Sequence, residues 1–338
     1  MAYIATSLPP SLLPLKTSPA RPRRLPASAA AAARSEEYFS LREYMSAKVE
    51  RVNKALDEAV PLRPPQKIHE AMRYSLLAPA KRVIPVLAIA SCEAVGGEEA
   101  LAIPPACAVE MVIAMSFIHD DLPCMDDDDV RRGQPSNHRA FGEHTALLSG
   151  CALLALAFQH VAERAAPRVP AERVVRMVAE LGRAFGSEGM LGGQLVDKES
   201  EGKADVGLEE LKYIHECKSA TFFEAAAVCG AIAGGGGEEE VGRLRKYARR
   251  VGLSYQVMDD VLDVTSTSEE LGKTAGKDVA SDKAAYPKLM GVEGAREFAA
   301  ELAERAVEEL ALFDPPKAAP LYHLARAIPC RKGKGSCA

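Results

Sequence analysis

The segment that most restricts how this chain can fold is PPACAVEMVIAMSFIHDD, residues 104–121, apolar on nearly every side until its two terminal aspartates. Wound as a helix it has no polar stripe to offer to water, so it must lie inside a bundle of other helices. Pro104 and Pro105 are expected to open that helix, since a proline in the first turn sacrifices no hydrogen bond. Its far end runs into FIHDDLPCMDDDDVRRG, residues 117–133, where six aspartates precede two arginines. So many carboxylates repel one another unless they are fully solvated or matched by cations.

The rest of the pattern is helical too. Leu41, Met45, Val49, Val52 and Leu56 step by three or four along residues 37–60, the spacing of one helical face. PLRPP ends that segment, and a second helix is predicted over 66–78. Further helices are predicted over 143–165, 171–187, 207–232, 238–264, 293–313 and 318–328, with Gly234 to Gly237 as a break. There is no β-branched alternation of strand length and no fixed-period repeat. A composition rich in Ala, Leu, Val and Glu, with no Trp, agrees. The expected fold class is all-α, a single-domain helical bundle over 36–330, with 331–338 a frayed basic tail.

Charge is unevenly spread. The first 34 residues hold Lys16, Arg21, Arg23, Arg24 and Arg34 and no acid, so removing these five positive charges from a net of -5 leaves -10 for the remainder. An acidic body argues against nucleic acid as a partner. Residues 1–35 are rich in Ser, Ala, Pro and Arg, the composition of an organelle transit peptide, and the prolines favour a plastid over a mitochondrial presequence. The leader is too poor in continuous apolar residues for a membrane span, and no transmembrane segment is expected. The eight cysteines form no CxxC pair, and several sit in apolar runs. They read as buried free thiols of a reducing compartment.

A second acidic cluster, SYQVMDDVLDVTSTSEELGKTAGKD, lies more than a hundred residues beyond the first. Asp259 and Asp263 are four apart, and Asp260 and Asp263 three apart, which puts these carboxylates on one helical face. All-carboxylate sets suit hard divalent ions, and Mg2+ is commonly shared between a few carboxylates and a substrate's phosphates. Arg131 and Arg132 follow the first cluster; Lys273, Lys277 and Lys283 follow the second. Carboxylates for metals beside cations for anions make a site suited to a diphosphate. His69 is assigned no chemistry, His119 reads as a packed neighbour, and Asp127, Asp128 and Asp129 as a solvated loop. Gln194 and Asp197 could line a cavity mouth, because Gly192 and Gly193 permit close approach.

The paired motifs IHDDLPCMDDDDVRRGQPSNH and YQVMDDVLD…GKTAGKD resemble the two aspartate-rich motifs of trans-isoprenyl diphosphate synthases. KIHEAMRYSLL and EAVGG further resemble the plastid geranylgeranyl diphosphate synthase branch. The resemblance covers residues 36 to about 327. It implies antiparallel helices around a deep apolar cavity, usually dimeric. It also implies Mg2+-assisted ionisation of an allylic diphosphate, attack by isopentenyl diphosphate and loss of a proton. By that resemblance Asp120, Asp121 and Asp126 hold two Mg2+ ions and Asp259 a third, with Asp260 and Asp263 beside it. Arg131, Lys218, Ser219 (where the family usually has Thr), Gln256, Lys273 and Lys283 match contacts to the allylic diphosphate. Lys81 and Arg132 match contacts to isopentenyl diphosphate. Met115 and Ser116, one turn before Asp120, stand where the chain-length pocket is floored. Neither is aromatic, which favours a twenty-carbon product.

The chain departs from that pattern at one side of the site. GGKRxRP reads PAKRVIP, so the second arginine position is Ile84, and Ile113 stands seven residues before Asp120, where His or Gln is usual. The acceptor half is therefore expected to be weakened, while the allylic half is intact. Cys151 replaces an aspartate in a packing position. Two readings follow: a geranylgeranyl diphosphate synthase acting as a homodimer, or a weakly active or non-catalytic subunit that heterodimerises with an active synthase. Retention of all six aspartates and the lack of a CxxxC motif favour the enzyme. A terpene cyclase would carry an NSE-type second motif instead.

Overall fold

The computed structural model describes residues 39–203, 206–267 and 284–330. Ser40 caps the first helix, α1 (Leu41–Ala59), accepting the Glu43 amide at 3.2 Å. The predicted apolar stripe of α1 buries Val52 and Leu56. Next come α2 (Gln66–Leu76), α3 (Val83–Ala94) and α4 (Glu99–Asp120). A two-residue hairpin pairs β1 (Val130–Arg131) with β2 (Gln134–Pro135), Arg131 facing Gln134. Beyond it are α5 (Asn137–Phe141), α6 (Glu143–Ala165), α7 (Ala171–Phe185), α8 (Met190–Ser200) and α9 (Leu208–His215). A π-helical turn (Glu216–Ala220) leads into α10 (Thr221–Gly234) and α11 (Glu238–Thr265). Finally α12 (Tyr286–Glu308) passes through a 3-10 turn (Glu309–Leu312) to α13 (Pro315–Ala327). The fold is all-α, apart from the hairpin that the sequence pattern did not signal.

The apolar segment is α4, and it is buried along most of its length. It begins at Glu99, not at the prolines: Pro104 and Pro105 sit inside it. Their missing N–H groups would have served carbonyls of the first turn only, so the helix tolerates them. The helix predicted over 207–232 is broken by the π turn, and the one predicted from 293 starts seven residues earlier, kinked at Gly291 (φ 75°, ψ 163°). Three helices were not anticipated, the five-residue α5 among them. α3 is apolar all round and α8 opens on MLGGQ, and neither shows a helical stripe.

α4 packs against α3, α6 and α10, while α11 packs against α10 and α12. A side chain on Gly230 of α10 would lie 2.0 Å from the Ala88 carbonyl of α3, so these two backbones touch. α4 and α6 are both long and apolar enough to cross a membrane by length and composition. α4 is a core helix; α6 leaves Leu147 (48%) and Leu148 (56%) exposed.

Candidate active site

The first aspartate motif is built on the C-terminal end of α4. After Asp121 the chain folds back on that end: the Asp126 amide donates to the Asp120 carbonyl (2.9 Å) and the Asp128 amide to the Asp121 carbonyl (3.2 Å). These bonds hold Asp126 beside Asp120. Asp121 is buried and accepts the Arg131 guanidinium, with Nε 3.0 and 3.2 Å from its two oxygens. Arg131 also reaches Asp128 at 3.3 Å. Asp126 pairs with Lys198 (3.3 Å), whose ammonium also donates to the Met125 carbonyl. Burial pushes the Asp120 carboxyl up to about 6, against the pull of Lys218 and with the push of Asp126. The solvated-loop reading holds for Asp127 and Asp129, which are exposed. It fails for Asp128, which is drawn in by Arg131.

The second motif lies on α11, and the π turn links the two. Gly193 of α8 allows the contact: a Cβ there would sit 2.6 Å from the Lys218 amide. One helical turn on, Asp197 accepts Lys218 at 2.6 Å. π-helical turns often mark functional positions, and this one carries both Lys218 and Ser219. Lys218 acts electrostatically on Asp120 on one side; on the other it acts on the buried His215, as do Asp197 and Asp259. Burial lowers the His215 imidazole to about 4, so it is neutral at physiological pH. Ser219 donates to Gln256 (2.9 Å), and Gln256 donates to Asp260 (3.0 Å). The other Asp260 oxygen accepts the Tyr286 amide at 3.1 Å.

The three carboxylates of α11 are therefore not equivalent. Asp260 and Asp263 are buried, and Asp260 ties α11 to the start of α12, while Asp259 is half-buried. One Asp263 oxygen is buried without a hydrogen-bond partner. A buried carboxylate oxygen of this kind and an all-oxygen donor set fit a hard divalent ion completed by other oxygens. Among the described residues no three carboxylate, histidine or cysteine groups converge on one metal position. Lys273 and Lys283, like residues 1–35 and 331–338, lie outside the described residues.

The acceptor side is cationic in part. Lys81 is exposed and lines a cavity of about 130 Å³ with Arg42, Met45, Tyr255 and Leu324. Ile84 is half-buried and packed on the core; Ile113 is buried. Arg82 does not replace the missing arginine, because its donors are committed to Asn53 (2.9 Å), the carbonyls of Leu76 (2.7 Å) and Ala78 (3.2 Å), and Glu110. Arg132 donates to the same Glu110 carboxylate at 3.3 Å. Phe117 lies under Arg131 and Arg132, its ring centre 5.0 and 5.3 Å from their guanidinium carbons. Met115 and Ser116 are buried, the serine donating to the Ile113 carbonyl at 2.9 Å. Sequence reasoning missed Glu110, Arg82, Lys198 and His215. Only Glu110 carried a signal, as the one charge inside an apolar helix.

Comparison with known proteins identifies the family. A model of the polyprenyl synthetase family matches residues 65–311. A chloroplastic geranylgeranyl pyrophosphate synthase of Catharanthus roseus is 57% identical over 88% of this chain and 83% of its own. The large subunit 1 of a chloroplastic heterodimeric geranylgeranyl pyrophosphate synthase of Arabidopsis thaliana is 59% identical, over 87% and 80% respectively. Among solved structures, geranylgeranyl pyrophosphate synthetase from Pyrococcus horikoshii superposes with a TM-score of 0.80 at 30% identity, covering 88% of this chain and all of that one. A matched family model over most of the chain, relatives above 50% identity and an all-α fold make this chain a member of the polyprenyl synthetase family.

Proposed function

We propose that this protein is a Mg2+-dependent prenyltransferase of plastids. It joins isopentenyl diphosphate to allylic diphosphates (dimethylallyl, geranyl, farnesyl) and yields geranylgeranyl diphosphate for isoprenoid synthesis. The observation that carries this reading is the π turn between the two motifs, whose Lys218 acts on Asp120 and whose Ser219 reaches Asp260 through Gln256.

Asp120, Asp121, Asp126 and Asp259 would hold two or three Mg2+ ions, with Asp263 supporting them and Asp260 fixing the frame. Bound Mg2+ supplies Lewis-acid neutralisation of the leaving diphosphate. The side chains of this chain do the rest. Arg131, Lys218, Ser219, Gln256, Lys273 and Lys283 bind and orient the allylic diphosphate. Until substrate arrives Arg131 and Lys218 are paired with Asp121 and Asp197, from which they turn onto the phosphate oxygens. Lys81 and Arg132 bind the acceptor diphosphate. Apolar helix walls keep water from the allylic cation, and the non-aromatic Met115 and Ser116 leave room for twenty carbons.

The exposed leucines of α6 support association with a second copy or a related synthase subunit. The aliphatic Ile84 and Ile113 support a second reading, a weakly active subunit of a heterodimer. The test is an incubation of the purified protein with Mg2+, isopentenyl diphosphate and each allylic primer. A twenty-carbon product that disappears with EDTA supports the enzyme. No product alone, with altered output of an added active synthase, supports the subunit instead.

A further inference from the structure

Glu110 is a carboxylate in the middle of the long buried helix α4, 2% exposed, yet it touches no other residue of the aspartate motifs than Arg132, just past the first one. Its two ion-pair partners come from different parts of the chain: Arg82, 3% exposed, at the start of α3, and Arg132 at the hairpin tip. Both arginines sit in left-handed backbone conformation, Arg82 at φ 49° and Arg132 at φ 53°. L-residues adopt that region at a cost, and such outliers persist only where surrounding contacts over-determine them. A single carboxylate therefore holds two strained arginine positions together. Two further facts give this pivot a direction. Arg82 directly follows Lys81, so fixing Arg82 fixes the backbone from which Lys81 projects. Arg132 keeps its Nη1 buried without a hydrogen-bond partner, although a guanidinium nitrogen in that state ordinarily finds an acceptor.

We propose that Glu110 is a positioning residue for the acceptor diphosphate. By clamping Arg82 and Arg132 it fixes Lys81 and presents the open Nη1 of Arg132 to an acceptor oxygen. In this chain, where Ile84 and Ile113 contribute no donor, the clamp carries the alignment of the two cations that remain. The inference rests on the reading of the protein as a prenyltransferase, but concerns only the acceptor half.

The test is steady-state kinetics on the full chain with Glu110→Gln and Glu110→Asp, varying each substrate separately. The aspartate variant keeps a carboxylate in the buried site with a shorter reach to both arginines, which share one Glu110 oxygen, so it serves if the glutamine variant fails to fold. Glu224→Gln is the control, because Glu224 is an equally buried carboxylate that pairs with Arg183, Arg245 and Arg249 and no motif residue. The KM for isopentenyl diphosphate is expected to rise about ten- to a hundredfold in Glu110→Gln, the scale of one misplaced charge-assisted hydrogen bond. A smaller rise is expected in Glu110→Asp, with the allylic KM within about twofold in both. Glu224→Gln is expected to lower Tm without altering the ratio of the two KM values. Equal movement of both KM values, or the same split in Glu224→Gln, overturns the clamp. If the unmodified protein makes no product, the prenyltransferase reading falls, and the clamp is then read by calorimetric titration of isopentenyl diphosphate into the proteins. Unweakened binding in both Glu110 variants, or no binding to the unmodified protein, refutes it as well.

Discussion

Two corners along α4 bring carboxylates and cations together in opposite proportions. At its C-terminal end Asp120, Asp121, Asp126 and Asp128 face Arg131, Lys198 and Lys218, and burial drives the Asp120 carboxyl up to about 6. Ten residues earlier two guanidiniums share the one carboxylate of Glu110, and burial lowers Arg132 from its ordinary value despite that partner. One corner lacks cations and the other lacks an anion. Neither imbalance helps the fold by itself, since a buried charge without full compensation is costly. Under the proposed function both imbalances are answered by ligands, divalent ions at the first corner and a phosphate group at the second.

The sharpest way to break this comparison is to neutralise the carboxylate-rich corner. Asp120→Asn is expected to lower turnover by about 100- to 1000-fold, measured by product formation at saturating Mg2+. Its stability should move the other way. The folded-state carboxyl at about 6 stands above the ordinary 3.8, so the fold binds this proton more tightly than the unfolded chain does. The metal-free protein therefore loses stability as pH rises from about 4 to 6 and carries the full cost above that. The asparagine variant should escape this cost, with a Tm at pH 7.5 higher by about 1–3 °C. A lower Tm would show that Asp120 serves the fold rather than the ligand.

The cation-rich corner can be sharpened instead of broken. Ile84→Arg, at a half-buried position, should lower the KM for isopentenyl diphosphate about tenfold or more, by the value of one charge-assisted hydrogen bond. Ile113→His should add less, because Ile113 is buried and the imidazole must be desolvated. An unchanged acceptor KM in both would mean that this side was never short of donors. Between the corners, Met115→Phe should shift product from twenty carbons towards fifteen or ten and cost about 1–3 kcal/mol of stability from overpacking, read by chromatography and denaturant melts. The smallest effect belongs to the rim. Arg139→Ala removes an exposed pair with Asp129 and should change stability by about 0.5 kcal/mol or less, with both KM values unmoved.

How much of this was legible in the sequence varied with the kind of signal. The burial of α4 followed from its lack of any polar face, and the crowding of carboxylates at its end from their density in the sequence. The start of α4 did not, because prolines mark a first turn only when nothing upstream can already be helical, and here Glu99 to Ile103 is. The three carboxylates of α11 looked equivalent by spacing, yet Asp260 is occupied by Gln256 four residues earlier and by the Tyr286 amide, the second a tertiary bond no periodicity reveals. The π turn that aims Lys218 depends on Gly193 letting two backbones meet, and it was invisible for the same reason. Glu110 was legible in principle: a lone charge inside a wholly apolar helix requires a partner, though the sequence could not say which arginines answered.

In the proposed reaction the two aspartate clusters are joined through divalent ions on a shared diphosphate. A crystal structure with Mg2+ and a non-hydrolysable allylic diphosphate analogue tests it most directly. Metal density is expected between the Asp120–Asp126 pair and Asp259, with Arg131 and Lys218 turned from Asp121 and Asp197 onto phosphate oxygens. Analogue bound with those two ion pairs intact, and no metal at either cluster, would contradict it.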